Sequence, residues 1–122
     1  MKCKSRSVDD VDILTPHGML LGGAETVELQ AKVEELDKEG RPKLLIDLGE
    51  TTFASSLGLS VLFLAHAKYS KRGGAVKLCR IDRRLQQIFV IVRLTLVYGE
   101  NIHETVEEAL ESFRAMQLVP SH

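Results

Sequence analysis

The feature that most constrains the fold is a short apolar run, "KLLIDL" at residues 43–48, near the middle of the chain. A strand whose side chains are apolar without alternation is typical of a sheet that is covered on both faces, as parallel sheets are. Patterns of helical period stand on both sides of this run along the chain. Since parallel strands are joined by crossover helices, the run predicts the central strand of an α/β domain.

Hydrophobic periodicity and turn residues predict the remaining elements. Further strands are expected at 11–15, 19–21, 76–78 and 94–98, and "TPHG" joins the first two in an antiparallel hairpin. Helices are expected where apolar residues recur at helical spacing: Leu29, Val33 and Leu36; the segment from Ser56 to "KRGG" at 71–74; Leu85, Ile88, Phe89 and Val92 after Asp82 as N-cap; Val106, Ala109, Leu110 and Phe113.

The resulting fold class is α/β, with a mostly parallel sheet, an N-terminal antiparallel hairpin and about four helices. The 122 residues suffice for one domain with a single core. We expect that domain at residues 8–115, between flexible termini at 1–7 and 116–122.

Composition argues against several classes of function. A net charge of −1 gives no reason to expect nucleic acid as a partner. Two cysteines, Cys3 and Cys79, make neither a disulfide framework nor a zinc site, and no metal or cofactor is predicted. The longest nearly apolar stretch, 57–67, is much shorter than the roughly 20 residues of a membrane span. With no secretory signal in the first residues, we expect a cytoplasmic protein that is not inserted in a membrane.

The helix after the serines carries two apolar stripes on nearly opposite sides. Leu59 and Leu62 belong to the stripe expected to face the sheet. The outer stripe contains Leu57, Val61 and Leu64, and these are covered either by another helix or by a protein partner that docks there. Gly58 in the first turn costs up to ~1 kcal/mol relative to alanine, which predicts the close approach of another backbone.

Ser55 or Ser56 is well placed to cap this helix by accepting a hydrogen bond from a free backbone N–H. The whole segment "LLIDLGETTFASSLGLSVL" indicates a second role for the serines. It resembles the central motif of the STAS domain (sulphate transporter and anti-sigma factor antagonist). Phe53 matches the aromatic residue of that motif, Ser56 its serine and Gly58 its glycine. The opening hairpin, "RGGAVKL" at 72–78 and "HETVEEAL" at 103–110 also stand where the family has counterparts.

The resemblance implies a non-enzymatic partner switch of the anti-sigma factor antagonist type. Such a protein binds an anti-sigma factor that is also a serine kinase; the kinase phosphorylates the motif serine and a phosphatase restores it. Ser56 matches the acceptor, and Ser55, which stands where the family usually has Asp, is the fallback. Leu21 likewise replaces a usual Asp. The partner surface is expected to comprise Ser55, Leu57, Gly58, Val61 and Leu64.

Two alternatives remain at this stage. STAS domains also serve as subunits of membrane transport systems or of larger signalling complexes, and here the membrane part would be a separate protein. A small serine hydrolase is the other, because residues 54–58 approach the nucleophile-elbow pattern and Asp82 and His103 follow in the order that such hydrolases use. We predict no catalytic residue.

Overall fold

The computed structural model describes residues 3–91 and 93–117. The strands in this part of the chain are β1 (Cys3–Val8), β2 (Val11–Pro16), β3 (Gly18–Leu20), β4 (Lys43–Asp47), β5 (Thr51–Ala54), β6 (Ala75–Cys79) and β7 (Ile102–His103). Its α-helices are α1 (Ala24–Lys38), α2 (Ser56–Lys71), α3 (Arg83–Ile91), α4 (Leu94–Tyr98) and α5 (Val106–Gln117), and a 3-10 turn (Gly99–Asn101) precedes β7.

The main sheet has five strands in the order β1-β2-β4-β6-β7. β1 and β2 are antiparallel and every other neighbouring pair is parallel. This confirms the mostly parallel α/β sheet with an antiparallel N-terminal hairpin. The central position of β4 is also confirmed, and its uninterrupted apolar run has a direct cause. Leu44 and Ile46 belong to the core on one face of the sheet, and Leu45 belongs to the core on the other.

The two faces of the sheet are covered unequally. Among the described residues, those of α1, α2, α3 and α4 contribute to the larger core, and α5 is the helix that contributes to the smaller one. The apolar stripe predicted for the last helix is buried against the sheet in full: Val106, Ala109, Leu110 and Phe113. In the described part of the chain, α5 does not cover all of this face, and a cleft lies open at the carboxyl end of β4.

The N-terminal hairpin is formed by different strands from those predicted: β1 pairs with β2, and residues 11–15 do not pair with 19–21. Residues 3–7 were expected to be a flexible terminus, yet they form most of β1 and pair with β2. Residues 18–20 do not return beside β2 but pair in parallel with β5, in a separate two-stranded sheet. β1 escapes a search for periodicity because its side chains at 4–7 are polar and exposed, as an edge strand allows.

The last predicted strand, 94–98, is wrong as well, because this segment forms the short helix α4. Leu94 and Tyr98 lie one turn apart and are both buried, and the Tyr98 hydroxyl donates a hydrogen bond to the carbonyl of Leu62 at 2.7 Å. The strand beyond β6 is the two-residue β7 instead. The predicted N-cap of α3 is confirmed, since the Asp82 carboxylate accepts from the N–H of Leu85 at 2.9 Å. Val92, predicted on the apolar stripe of that helix, lies outside the described residues.

Candidate functional site

The N-terminus of α2 rests against the backbone of β3. A β-carbon at Gly58 would overlap the carbonyl oxygen of Leu20, so only glycine allows this approach. The same oxygen accepts a hydrogen bond from the N–H of Ser55 at 2.9 Å. The predicted close approach of another backbone at Gly58 is therefore confirmed, and the backbone belongs to the domain itself.

The two serines differ in their surroundings. Ser55 occupies the N-cap position of α2, but its side chain makes no capping hydrogen bond; its hydroxyl donates to the Leu20 carbonyl at 3.4 Å and is half-buried. Ser56 is exposed, and none of the described residues hydrogen-bonds to its hydroxyl. The capping prediction is thus right for the position of Ser55 and wrong for the hydrogen bond. The first turn of α2 also contains no acidic residue. No carboxylate from that turn therefore offsets its free N–H groups and the positive end of the helix dipole.

Exposed apolar side chains surround this helix start. Met19 and Phe53 are register partners in the β3–β5 pair and are 52% and 41% exposed. Leu57 is 62% exposed and lies against Gly22, where a β-carbon would come within 2.6 Å of its Cδ1. Leu21, next to that glycine, is 47% exposed. We call Met19, Leu21, Phe53 and Leu57 the apolar patch.

The outer stripe of α2, for which the sequence leaves cover by another helix or by a partner open, is not a continuous exposed surface. Val61 is buried, at 2% exposure, and Leu64 is half-buried. α2 contacts α1, α4 and β6, so more than one of its sides is covered. Val61, expected in the partner surface, is instead buried within the domain itself, and Leu57 is the member of the stripe that remains largely open.

Sequence reasoning missed that Met19 lies beside Phe53 and that Leu57 lies against Gly22, next to Leu21. Met19 and Phe53 are adjacent because β3 runs parallel to β5, a pairing between two strands about 30 residues apart in the chain. The apolar residues at 19–20 and 53–54 held part of the information, because Leu20 and Ala54 are buried while their neighbours Met19 and Phe53 are exposed.

The two partner residues of the hydrolase alternative do not form a triad with Ser56. Asp82 caps α3, and the His103 Nε2 atom is buried without a hydrogen-bond partner among the described residues. Neither side chain hydrogen-bonds to Ser56. Ser56 lies between a strand and a helix, as the nucleophile of an elbow does, because β5 ends at Ala54 and α2 begins at Ser56. The acid and the histidine that a hydrolase needs beside its serine do not hydrogen-bond to it.

The two cysteines are buried, apart and free of any disulfide. Burial raises the pKa of Cys3 to about 11 and that of Cys79 to about 12, so both are thiols at neutral pH. Within 3–91 and 93–117, no group of three His, Cys, Asp or Glu side chains could hold a metal ion. In the same ranges, no helix combines the length and apolar character that crossing a bilayer requires.

Comparisons with known structures reveal the same fold in proteins with different roles. A candidate anti-sigma factor antagonist from Thermotoga maritima is 24% identical, with a TM-score of 0.84, covering 92% of this chain and 94% of that one. SpoIIAA, the Bacillus cell fate determinant, solved in its phosphorylated form, is 16% identical with a TM-score of 0.73, covering 92% and 99%. A sulfate transporter family protein from Wolinella succinogenes is 16% identical with a TM-score of 0.81, covering 93% of each chain.

Identities this low establish the fold alone. No curated protein sequence is significantly similar to the chain. The family is shown by a different comparison, in which the model of the STAS domain matches residues 5–109. This match includes the motif around Ser56 and nearly all of the main sheet. The chain belongs to the STAS domain family.

Proposed function

We propose that this protein is an anti-sigma factor antagonist that works as a partner switch. It binds an anti-sigma factor with serine kinase activity through the apolar patch and the start of α2. Phosphorylation of Ser56 ends that binding, and a phosphatase restores it. The observation that carries the proposal is the position of an exposed, unbonded serine hydroxyl directly beside the exposed Leu57.

The apolar patch supports a protein partner. Single exposed apolar residues are common on protein surfaces, whereas contiguous groups mark interaction sites. Met19 faces Phe53 across the β3–β5 pair, and Leu57 covers the backbone at Gly22, next to Leu21. Burying these four side chains in an interface gives a hydrophobic centre of the kind that binding hot spots have.

The geometry favours Ser56 over Ser55 as the phosphate acceptor. A kinase must reach the hydroxyl and draw it into its own active site. The Ser56 hydroxyl is free for this, whereas that of Ser55 is half-buried and bonded to the Leu20 carbonyl. Ser55 therefore stays the fallback acceptor in the proposal.

A phosphate on Ser56 is compatible with the fold and opposes binding of the protein partner. It adds about −1.5 to −2 charges at neutral pH. The free N–H groups of the first turn of α2, with the positive end of the helix dipole, favour a negative group there. A partner that covers Leu57 would bring apolar surface over the dianion and would have to desolvate it, which is costly without a compensating cation.

The neighbours in fold include SpoIIAA, which is an anti-sigma factor antagonist known in unphosphorylated and phosphorylated forms. Other neighbours belong to transporters, including the STAS domain of a SulP transporter from Vibrio cholerae with a TM-score of 0.71. A second candidate function is therefore a STAS subunit of a transport complex. The apolar patch would then contact a membrane protein or its associated ATPase.

Affinity capture from the native host distinguishes the two candidates. We expect the wild-type chain to retain an anti-sigma factor with a kinase domain, and Leu57→Asp to lose it because a carboxylate would enter the apolar contact. Leu96→Asp is the matched control, since Leu96 is also an exposed leucine but lies on α4. Capture of a transporter component supports the second candidate. Retention of the anti-sigma factor by Leu57→Asp contradicts docking through the patch.

A further inference from the structure

A cleft opens on the side of the main sheet that α5 leaves uncovered. Its volume is about 430 Å³, within the range of small-ligand sites. It lies by the ends of β2 and β4, and in open α/β sheets the crevice at the carboxyl ends of the strands is where ligands bind. The lining residues come from β1, β2, the end of β4 and the loops that follow β4 and β6: Lys4, Ser5, Arg6, Thr15, Asp47, Glu50 and Arg80.

Arg80 has an uncommon backbone conformation, and two contacts hold its side chain at this cleft. Its backbone has φ 57°, in the left-handed region that side-chain-bearing residues seldom adopt. Its Nε lies 3.0 Å from Oδ1 of the buried Asp47, which also accepts from the N–H of Gly49 at 2.9 Å. The guanidinium covers Gly49, where a β-carbon would overlap it. A guanidinium has five N–H donors, more than one carboxylate engages, so donors remain for a ligand.

β1 adds two more cations to the same cleft. Lys4 and Arg6 are two residues apart in a strand, so their side chains point to the same face. Lys4 makes a long contact with Glu50 at 3.7 Å, with its side chain 72% exposed. Arg6 forms no hydrogen bond or ion pair with any described residue. Three cations thus line the cleft against two carboxylates that already have partners, which leaves an excess of positive charge.

We propose that this cleft binds a small multivalent anion, with phosphate or carboxylate groups, at a site separate from Ser56 and the apolar patch. Arg80 supplies a pre-positioned guanidinium and Arg6 an unpaired one. Each guanidinium presents paired N–H donors whose spacing matches the oxygens of a phosphate or carboxylate group. Lys4 contributes a further charge at the rim.

Titration of the full chain with inorganic pyrophosphate and, separately, with citrate tests this site by heteronuclear NMR. We expect saturable shifts of amide signals at residues 4–6, 47–50 and 80 with at least one of the two anions. If pyrophosphate alone binds, the site prefers phosphate groups, and if citrate alone binds, it prefers carboxylates. If both bind, the site recognises multiple negative charges and does not distinguish the two groups. Absence of saturable shifts at these residues with either anion overturns the proposal.

The variant Arg6→Gln tests whether the cleft itself holds the anion. It removes an exposed cation without a partner, and we expect about tenfold weaker binding from the loss of a charge-assisted hydrogen bond. Arg84→Gln is the matched control, because Arg84 is an exposed arginine at the start of α3 and outside the cleft. Equal weakening by both variants would mean attraction by general surface charge and would also overturn the proposal.

Discussion

At the scale of single residues, the carbonyl oxygen of Leu20 connects the candidate site to the fold. It accepts the N–H and the hydroxyl of Ser55 and faces the Cα of Gly58. These contacts fix the start of α2 on β3 and so place Ser56 and Leu57 at the surface. Glycine at position 58 is favoured by this approach and not by helix propensity, which it opposes.

We therefore expect Gly58→Ala to lower the free energy of unfolding by about 2 kcal/mol, as overpacking against a rigid backbone does. The intrinsic gain of alanine in a helix, up to about 1 kcal/mol, would not offset this loss. Urea denaturation followed by circular dichroism measures the change. Gly23→Ala is the control, because a β-carbon there meets no atom within 4 Å, and a loss under about 1 kcal/mol is expected. Equal losses in both variants would contradict the close contact.

The residue scale also marks what the sequence could predict about the site. The cost of a glycine in a first helical turn was enough to predict the close backbone approach. The two serines were found at the start of their helix because cap residues and apolar period agree there. Val61 was misplaced because periodicity identifies apolar stripes and does not show how many neighbours cover a helix. The contacts of α2 with both α1 and α4 come from the tertiary fold.

At the scale of elements, long periodic segments were predicted well and short ones poorly. The helix α5 and the strand β4 have patterns that match their burial. The segment 94–98 is rich in residues that favour strands, but tertiary packing of Leu94 and Tyr98 selects a helix. β1 has no apolar alternation to detect, because its hydrogen bonds to β2, rather than buried side chains, define it.

The partial burial of His103 on β7, the strand that α5 contacts, predicts that the stability of the fold depends on pH. Burial lowers the pKa of His103, nearby Lys77 lowers it further, and Glu108 raises it in part. The fold thus favours the neutral imidazole, which matches its buried Nε2 atom. The resulting stability is present above the unfolded pKa of about 6.5 and is lost as the pH falls from there through the lower folded pKa.

We expect His103→Gln to flatten the decline in the free energy of unfolding between about pH 7 and pH 5, because it removes the titrating group. His17→Gln serves as the matched control, since His17 is exposed and its contact with Glu50 is long, at 3.7 Å, and the variant should keep the decline. Denaturation midpoints measured across this pH range decide the matter. A decline of the same slope in His103→Gln and the wild type would show that other groups cause it.

At the scale of the whole molecule, the sheet separates two surfaces of different character. On the side of the β3–β5 pair and α2, an apolar patch surrounds a free serine. On the side that α5 leaves open, a cleft carries an excess of cations. STAS membership and the α/β fold were both accessible from the sequence. The composition of the two surfaces was not, because each depends on residues that only the pairing of strands brings together.

The most direct measurement is the affinity of the chain for its captured anti-sigma factor before and after phosphorylation. Mass spectrometry of the product first locates the phosphate, which we expect on Ser56 and, in Ser56→Ala, to be absent. Calorimetry should then give binding at least about 100-fold weaker for the phosphorylated chain, because an unpaired charge would be buried in the interface. Ser56→Asp should weaken binding in the same direction, and Ser70→Asp, at the far end of α2, should leave it unchanged. Equal affinity of the phosphorylated and unmodified chains, with phosphate located on Ser56, would contradict a switch at this serine.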